Sequence, residues 1–165
     1  MRCTISRRGW RFSVLALLSL PLLAAACWAA YSERYLPAFR DPEMGQYFLD
    51  TQGIERRDGV LLFRYKNIVS WRYRNRSLKG VEKTEERLRI KRWAYSVVTL
   101  YYDPARRAAR PAISTTWSKT DDLLTRKLHR GEPFTPVDRS PALAAICGVL
   151  MDYVATHPEA VREAR

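Results

Sequence analysis

The 165-residue chain carries 29 lysines and arginines against 17 aspartates and glutamates, which gives a net charge of +12 at pH 7. Its length suits one small domain that can bury a core without help from a metal or a disulfide. Cys3, Cys27 and Cys147 lie too far apart in the sequence for a metal-ligand motif or a disulfide framework. The composition therefore excludes a cysteine-rich scaffold and a cysteine metal site.

Residues 12–32 contain no charged side chain and follow four arginines with no acid among them. A helix of that length, at about 1.5 Å per residue, just crosses the roughly 30 Å hydrocarbon core of a bilayer. A positive region followed by an apolar stretch also resembles a secretory signal. We therefore divide the chain into a signal or anchor, 1–32, and one extracytoplasmic domain, 33–165, in the periplasm or outside the cell.

Three fates of the apolar segment stay open. Small residues at Ala24 and Ala26 precede Cys27, which permits simple signal cleavage before the cysteine. Residues 23–27 also resemble a bacterial lipoprotein signal, which implies that Cys27 is the lipidation site. The aromatic residues Trp28 and Tyr31 instead suit an uncleaved anchor ending at a membrane interface. In all three cases the remaining domain is basic, since removing residues 1–26 lowers the net charge from +12 only to +8.

The first elements beyond the segment are predicted from spacing. Asp41 and Pro42 suit a helix start, and Met44, Tyr47 and Phe48 follow at helical intervals, which predicts a helix over 42–52. From residue 61 the period changes to two, which predicts a hairpin of strands 61–65 and 69–73 around a turn at 66–68.

The second half of the chain predicts two strands and two helices. Apolar and β-branched residues predict strands over 88–102 and 112–117. A capping-box pattern at Ser118 and basic residues before Gly131 predict a helix over 121–130. Ser140 and Pro141 begin the last helix, which is apolar, about 15 residues long and too short to cross a bilayer comfortably.

Residue types that perform catalysis are few. His129 and His157 both lie near predicted helix ends, where structural roles explain them. No metal, nucleophile or phosphate-loop motif is present in the sequence. We therefore predict no enzyme, no catalytic residue, no cofactor and no metal. A small periplasmic hydrolase remains an alternative, and it requires acids that converge on His129 or His157.

A basic cluster is the feature with the clearest functional meaning. Arg64, Arg72, Arg74 and Arg76 fall on one face of the predicted hairpin, opposite its aromatic residues. Guanidinium groups bind carboxylates and phosphates with two parallel hydrogen bonds, so these four arginines are the candidate partner- or anion-binding residues. They also fit a simple solvated face. Nucleic acid is not an expected partner, because the domain is expected to be exported.

The complete prediction is an α+β protein of the bacterial cell envelope. An N-terminal membrane or signal segment precedes a small antiparallel sheet of about three to four strands, packed by C-terminal helices. The predicted function is non-catalytic binding of a protein partner, as an accessory subunit or an immunity protein, with the membrane contacted through residues 12–32. Binding of anionic lipid or polysaccharide is the second alternative.

Overall fold

A computed structural model describes residues 33–164 and shows one large sheet with helices. Eight strands form a mostly antiparallel sheet that curls into a half-barrel. The strands are β1 (Tyr35–Asp41), β2 (Gly45–Arg57), β3 (Val60–Val69), β4 (Tyr95–Asp103), β5 (Ala108–Trp117), β6 (Leu123–Leu128), β7 (Thr135–Pro136) and β8 (Val161–Glu163). The helices are α1 (Trp71–Ser77), α2 (Thr84–Arg92) and α3 (Pro141–Thr156), with 3-10 turns at Val137–Arg139 and Pro158–Ala160.

The first six strands lie side by side in chain order, each antiparallel to the next. Two short strands complete the sheet. β7 pairs antiparallel with the start of β5, and β8 pairs parallel with the second half of β2. For β1 to β6, strands that are neighbours along the chain are thus also neighbours in the sheet, as the preference for short connections favours.

The core lies between one face of the sheet and α3. Side chains alternate between the two faces of a strand, and the core face of β2, β3 and β4 carries the buried residues Tyr47, Leu49, Leu61, Phe63, Leu100 and Tyr102. Leu49, Phe63 and Leu150 are fully buried there. The cluster comprises Tyr47, Leu49, Ile54, Leu61, Phe63, Leu100, Tyr102, Ala109, Val137, Ile146, Cys147, Leu150 and Val154.

The predicted sheet of three to four strands packed by two C-terminal helices is wrong. Eight strands pair within residues 33–164, and only one of the two C-terminal helices forms. The predicted helix 42–52 is instead the β1–β2 turn and most of β2. The helical spacing of Met44, Tyr47 and Phe48 does not produce one face here, because side chains alternate in β2: Tyr47 and Leu49 lie on the core face and Asp50 lies on the other.

The predicted hairpin turn at 66–68 is also wrong. β3 continues through these residues because it pairs with β2 on one side and β4 on the other; Asn67, for example, lies between Tyr47 and Ser96. The chain reverses only through α1 and α2, which occupy the segment predicted as the second hairpin strand and the start of the strand 88–102. Two-sided pairing outweighed the turn propensity of a single asparagine.

The polar residues before β6 close a hairpin and do not begin a helix. Ser118 Oγ accepts hydrogen bonds from the backbone N–H groups of Thr120 and Asp122, at 3.1 Å each. Asp121 takes a left-handed φ of 58°, which a helix start does not allow. Residues 123–128 then pair with β5, so the predicted helix 121–130 is a strand.

The last helix and the strand over 112–117 are confirmed. α3 begins after Ser140, whose hydroxyl accepts the Leu143 N–H at 3.3 Å, and Pro141 occupies its first turn. Within 33–164, none of the helices combines the length and the apolar character that a membrane crossing requires. The predicted membrane or signal segment, with Cys27, lies outside the described residues.

Candidate functional site

A groove of about 430 Å³ lies on the face of the sheet opposite the core. Phe63 and Tyr65 face the core, so Arg64 and Lys66 between and after them face this groove. We call it the sheet groove. Its lining residues are Arg34, Tyr35, Asp50, Arg64, Lys66, Tyr95, Val97, Thr99, Ile113, Thr115, Trp117, Leu123 and Arg126.

Among residues 33–164, Asp50 is the only acid that lines the sheet groove, and it is 2% exposed. Arg34 donates from Nε to Asp50 Oδ1 and from Nη2 to Oδ2, both at 3.1 Å. Arg64 Nη2 lies 3.2 Å from Oδ2, and the Gln52 N–H donates to Oδ1 at 3.2 Å. The carboxylate raises the pKa of Arg34 through this hydrogen bond. Asp50 therefore anchors two cations at the floor of the groove.

Lys66 lies between aromatic rings in the same groove. Its Nζ is 4.1 Å from the centroid of the Tyr95 ring and 5.1 Å from that of Tyr35. These distances allow cation–π attraction. The Tyr95 ring stacks on Trp117, with centroids 6.2 Å apart and planes 8° apart, and its hydroxyl donates to Asp121 at 2.6 Å. Burial lowers the pKa of Lys66 below its ordinary value of 10.5, and the charge of Arg34 acts in the same direction.

Arg126 completes the charge of the groove from β6. It is exposed and forms no ion pair with any residue between 33 and 164. The lining residues that the structure describes thus carry four positive charges and one negative charge, a local excess of +3. Aromatic rings, the aliphatic side chains of Val97, Ile113 and Leu123, and two threonines form the remaining wall. Such a concave site, apolar with a few charged groups, suits an anionic ligand that also presents apolar surface.

The structure separates the four arginines that the sequence brought together. Arg64 lies in the sheet groove, whereas the other three belong to α1. Arg72 and Arg76 both pair with the carboxylate of Glu43, and Arg74 donates to the Trp93 carbonyl at 3.0 Å. On a helix, residues two apart point in nearly opposite directions, so the three do not form the single stripe expected of a strand.

Sequence reasoning missed most of the groove. Asp50 provides a usable signal, since a charged residue directly after the apolar residues 47–49 requires a partner when it is buried. Lys66 falls within the predicted turn at 66–68 and Arg126 within the predicted helix 121–130, and neither prediction indicates that the two residues share a site. Trp117 was assigned to the correct strand, but nothing local to it indicates the residues across the sheet.

A second cavity, of about 470 Å³, lies farther along the same strands. Arg110 contributes a guanidinium that is 4.7 Å from the Tyr101 ring centroid and 5.2 Å from that of Phe134. Glu55 and Asp58 line the cavity together with Arg57 and Arg110, so its acids and bases balance. The sheet groove is the more strongly charged of the two.

A hydrogen-bonded chain joins Ser114, His129 and Glu132. Ser114 Oγ lies 2.9 Å from His129 Nε2, and His129 Nδ1 lies 2.7 Å from Glu132 Oε1. With Glu132 ionised and accepting from Nδ1–H, Nε2 is free to accept from the serine hydroxyl. The histidine side chain is 11% exposed. This is the nucleophile, base and orienting acid order that serine hydrolases use.

His157 does not belong to a comparable chain: its Nδ1 contacts the Thr156 hydroxyl and the Tyr153 carbonyl of α3, and its ring stacks on Tyr153. Across the described part of the chain, no group of three or more histidine, cysteine, aspartate or glutamate side chains is placed to hold a metal ion.

No protein-family model, curated protein or solved structure matches the chain.

Proposed function

We propose that residues 33–165 form a non-catalytic binding domain of the bacterial cell envelope, and that the sheet groove binds an acidic segment of a partner protein. The envelope location rests on the signal-like residues 12–32. The partner class rests on one observation, the excess of three positive charges among aromatic and aliphatic walls in a groove of about 430 Å³. In an envelope, such a domain serves as an accessory subunit of an assembly or as an immunity protein that binds a toxin.

The cations of the groove divide into two kinds. Arg34 and Arg64 are held by Asp50, so they provide a fixed positive floor. Arg126 is exposed at the rim, where it can meet an incoming carboxylate. Charges placed in this way increase the association rate and the selectivity for acidic partners, and their effect falls as salt screens it.

An acidic protein segment fits this groove better than a lipid headgroup or a polysaccharide. Tyr35, Tyr95 and Trp117 offer aromatic surface beside the cations, and half-buried aliphatic residues continue the wall. Enrichment in aromatic residues and arginine is typical of protein interfaces. Anionic lipid recognition relies on a salt-sensitive exposed basic patch, which does not require aromatic walls.

The test is a crosslinked pull-down of the tagged full-length protein from its native envelope. The groove variant carries Lys66→Glu and Arg126→Glu, and the matched control carries Lys119→Glu and Arg130→Glu, which make the same charge change at exposed positions outside the groove. We expect a stoichiometric protein that the control retains and the groove variant loses. Retention by both variants refutes the groove as the binding surface, and recovery of lipid or polysaccharide alone refutes the partner class.

Ester hydrolysis at Ser114 is the second candidate function, because of the Ser114–His129–Glu132 chain. In this reaction Ser114 Oγ attacks the ester carbonyl carbon as its proton passes to His129 Nε2, and that proton then leaves with the alcohol. Water, deprotonated by the same nitrogen, releases the acid. This candidate ranks second. Ser114 and Lys127 form a hydrogen-bonded pair of the β5–β6 ladder, so the backbone N–H of Ser114 is already engaged with Lys127. That N–H is therefore not available to stabilise the negatively charged oxygen of the tetrahedral intermediate.

A fluorophosphonate probe separates the two functions. Labelling of the wild-type protein that disappears in Ser114→Ala and His129→Gln would establish a reactive serine. We expect no labelling above that of the Ser114→Ala protein, since a hydrogen-bonded chain alone does not stabilise the tetrahedral intermediate.

A further inference from the structure

The two outer edges of the six-strand path differ in how well they are protected. The edge formed by β1 contains Pro37, which lacks an N–H, and a register shift between Pro37 and Phe39, and this strand also contacts α3. Proline and bulges block further strand pairing. β6 contains no proline, and among residues 33–164 neither a helix packs along its outer side nor a strand pairs there.

The backbone groups that face outward from β6 follow from its register. The His129 N–H donates to the Ala112 carbonyl at 2.9 Å, which makes these two residues a hydrogen-bonded pair. Hydrogen-bonded and non-hydrogen-bonded pairs alternate in an antiparallel ladder, so Lys127 also points its N–H and C=O toward β5. Arg126 and Leu128 therefore direct their N–H and C=O groups away from the sheet.

The side chains along this edge favour one kind of occupant. Leu123 and Leu128 are 50% and 48% exposed, and they share the groove face with Arg126 because their β5 partners Trp117 and Ile113 line the groove. An added strand places an apolar residue beside each leucine and an acid beside the arginine. It thereby continues the wall of the sheet groove by one strand.

A second copy of the chain is a poor occupant of the edge. Antiparallel self-pairing centred on Arg126, whose backbone groups face outward, places Arg126 of one chain directly opposite Arg126 of the other, and pairing centred on Lys127 does the same for Lys127. Like charges directly across a strand pair are destabilising, and edge lysines are a common protection against this association.

From these observations we infer that the acidic partner segment binds as an additional β-strand on β6, with its acid on Arg126 and apolar residues on Leu123 and Leu128. The inference rests on the proposed function and states how the partner is held. Backbone hydrogen bonds provide affinity in this mode of recognition, and alternate side chains provide specificity.

The probe is a fluorescein-labelled peptide of about seven residues in which valine, glutamate and valine alternate with threonines, so that one face carries the apolar–acid–apolar order. Binding to the full-length protein is followed by fluorescence anisotropy at low salt. A peptide with lysine in place of glutamate is the charge control, and a peptide with N-methyl groups on the pairing edge is the backbone control. We expect binding below about 1 mM for the first peptide, and at least tenfold weaker binding for both controls.

Amide exchange followed by NMR locates the strand. In the free protein the Lys127 N–H should exchange slowly, and those of Arg126 and Leu128 quickly. The peptide should protect Arg126 and Leu128. Leu128→Pro should weaken binding about fivefold beyond Leu128→Ala, because both remove the side chain but only proline removes the outward N–H.

The outcomes separate this inference from the proposed function. Peptide binding without protection of the Arg126 and Leu128 amides refutes strand addition while leaving the groove as an acidic-segment site. Absence of binding at about 1 mM also refutes strand addition. Loss of the envelope partner on groove charge reversal, measured independently, decides the proposed function.

Discussion

Replacing Asp50 by asparagine should destabilise the domain and at the same time strengthen its binding of acids. Asparagine keeps the volume of the side chain and an oxygen that can still accept from Arg34 Nε and the Gln52 N–H. Its amide nitrogen, however, then faces the second Arg34 nitrogen and Arg64 Nη2, which are donors too. Two charge-assisted contacts are lost at a site where the carboxylate is 2% exposed.

We expect Asp50→Asn to lower the free energy of unfolding by about 3 kcal/mol. Hydrogen bonds to charged groups contribute about 1.5–3 kcal/mol each, so the two lost contacts set an upper limit near 6 kcal/mol. Arg34 and Arg64 are 37% and 39% exposed, so water replaces part of what they lose. Removing one partner from a fully buried pair costs about 3–5 kcal/mol, and the exposed arginines move this site to the lower end of that range.

Urea unfolding followed by tryptophan fluorescence measures the effect. Asp58→Asn is the control, since its carboxylate is 93% exposed and 3.8 Å from Arg57, and we expect it to change stability by less than about 0.5 kcal/mol. An Asp50→Asn protein within about 0.5 kcal/mol of wild type would refute the assignment of Asp50 as the anchor of the groove. The dependence of stability on urea should be the same in all three proteins.

The same substitution raises the charge excess of the groove lining from +3 to +4. Affinity for the valine–glutamate peptide should therefore increase about threefold at low salt, with the gain disappearing near 1 M salt, where the Debye length is about 3 Å. A variant that is less stable yet binds more tightly separates the structural role of Asp50 from its electrostatic effect on the ligand. Weaker binding by a folded Asp50→Asn protein would instead indicate that the position of the arginines matters more than net charge.

Three further predictions concern single positions. Gly45 has a φ of +120°, and a Cβ at this position overlaps the Ile68 carbonyl oxygen. In urea unfolding, Gly45→Ala should lower the free energy of unfolding by more than about 3 kcal/mol. The control Gly59→Ala should lower it by about 1 kcal/mol, because Gly59 has open space around it. Burial raises the pKa of the Cys147 thiol to about 12. Iodoacetamide at about pH 8 should therefore leave the peptide that contains Cys147 unmodified until urea unfolds the protein, as measured by peptide mass mapping. Alkylation of the folded protein would contradict the burial of Cys147. Burial lowers the pKa of Lys66 below 10.5, and only the protonated amine attracts acids. The affinity for the valine–glutamate peptide should therefore fall as the pH rises toward 10.5. Lys66→Gln should make this affinity less dependent on pH.

Two elements were predicted correctly, because their local sequence pattern and their tertiary environment favour the same secondary structure. α3 has a capping serine, a proline in its first turn and an apolar surface that tertiary packing also requires. The strand ending at Trp117 is similar, because β-branched residues and alternation coincide with its pairing. For these two elements the local sequence pattern was sufficient, because no long-range pairing favoured a different secondary structure.

The elements that were predicted wrongly were decided by pairing partners far along the chain. Residues 66–68 have the composition of a turn, yet β2 and β4 pair with them on both sides, and this satisfies their backbone hydrogen bonds in a continuous strand. Residues 123–128 carry basic side chains typical of a helix end, yet β5 supplies a ladder for them. Strand formation depends on such distant partners much more than helix formation does.

The sequence by itself determined the basic charge of the domain, the signal-like start, the last helix and the candidacy of Arg64. Tertiary structure alone decided which charged groups share a site, because Arg34, Asp50, Arg64 and Arg126 come from four separate segments that only the curled sheet brings to one face. It also removed Arg72, Arg74 and Arg76 from that site by forming a helix, where residues two apart diverge, in place of a strand, where they align.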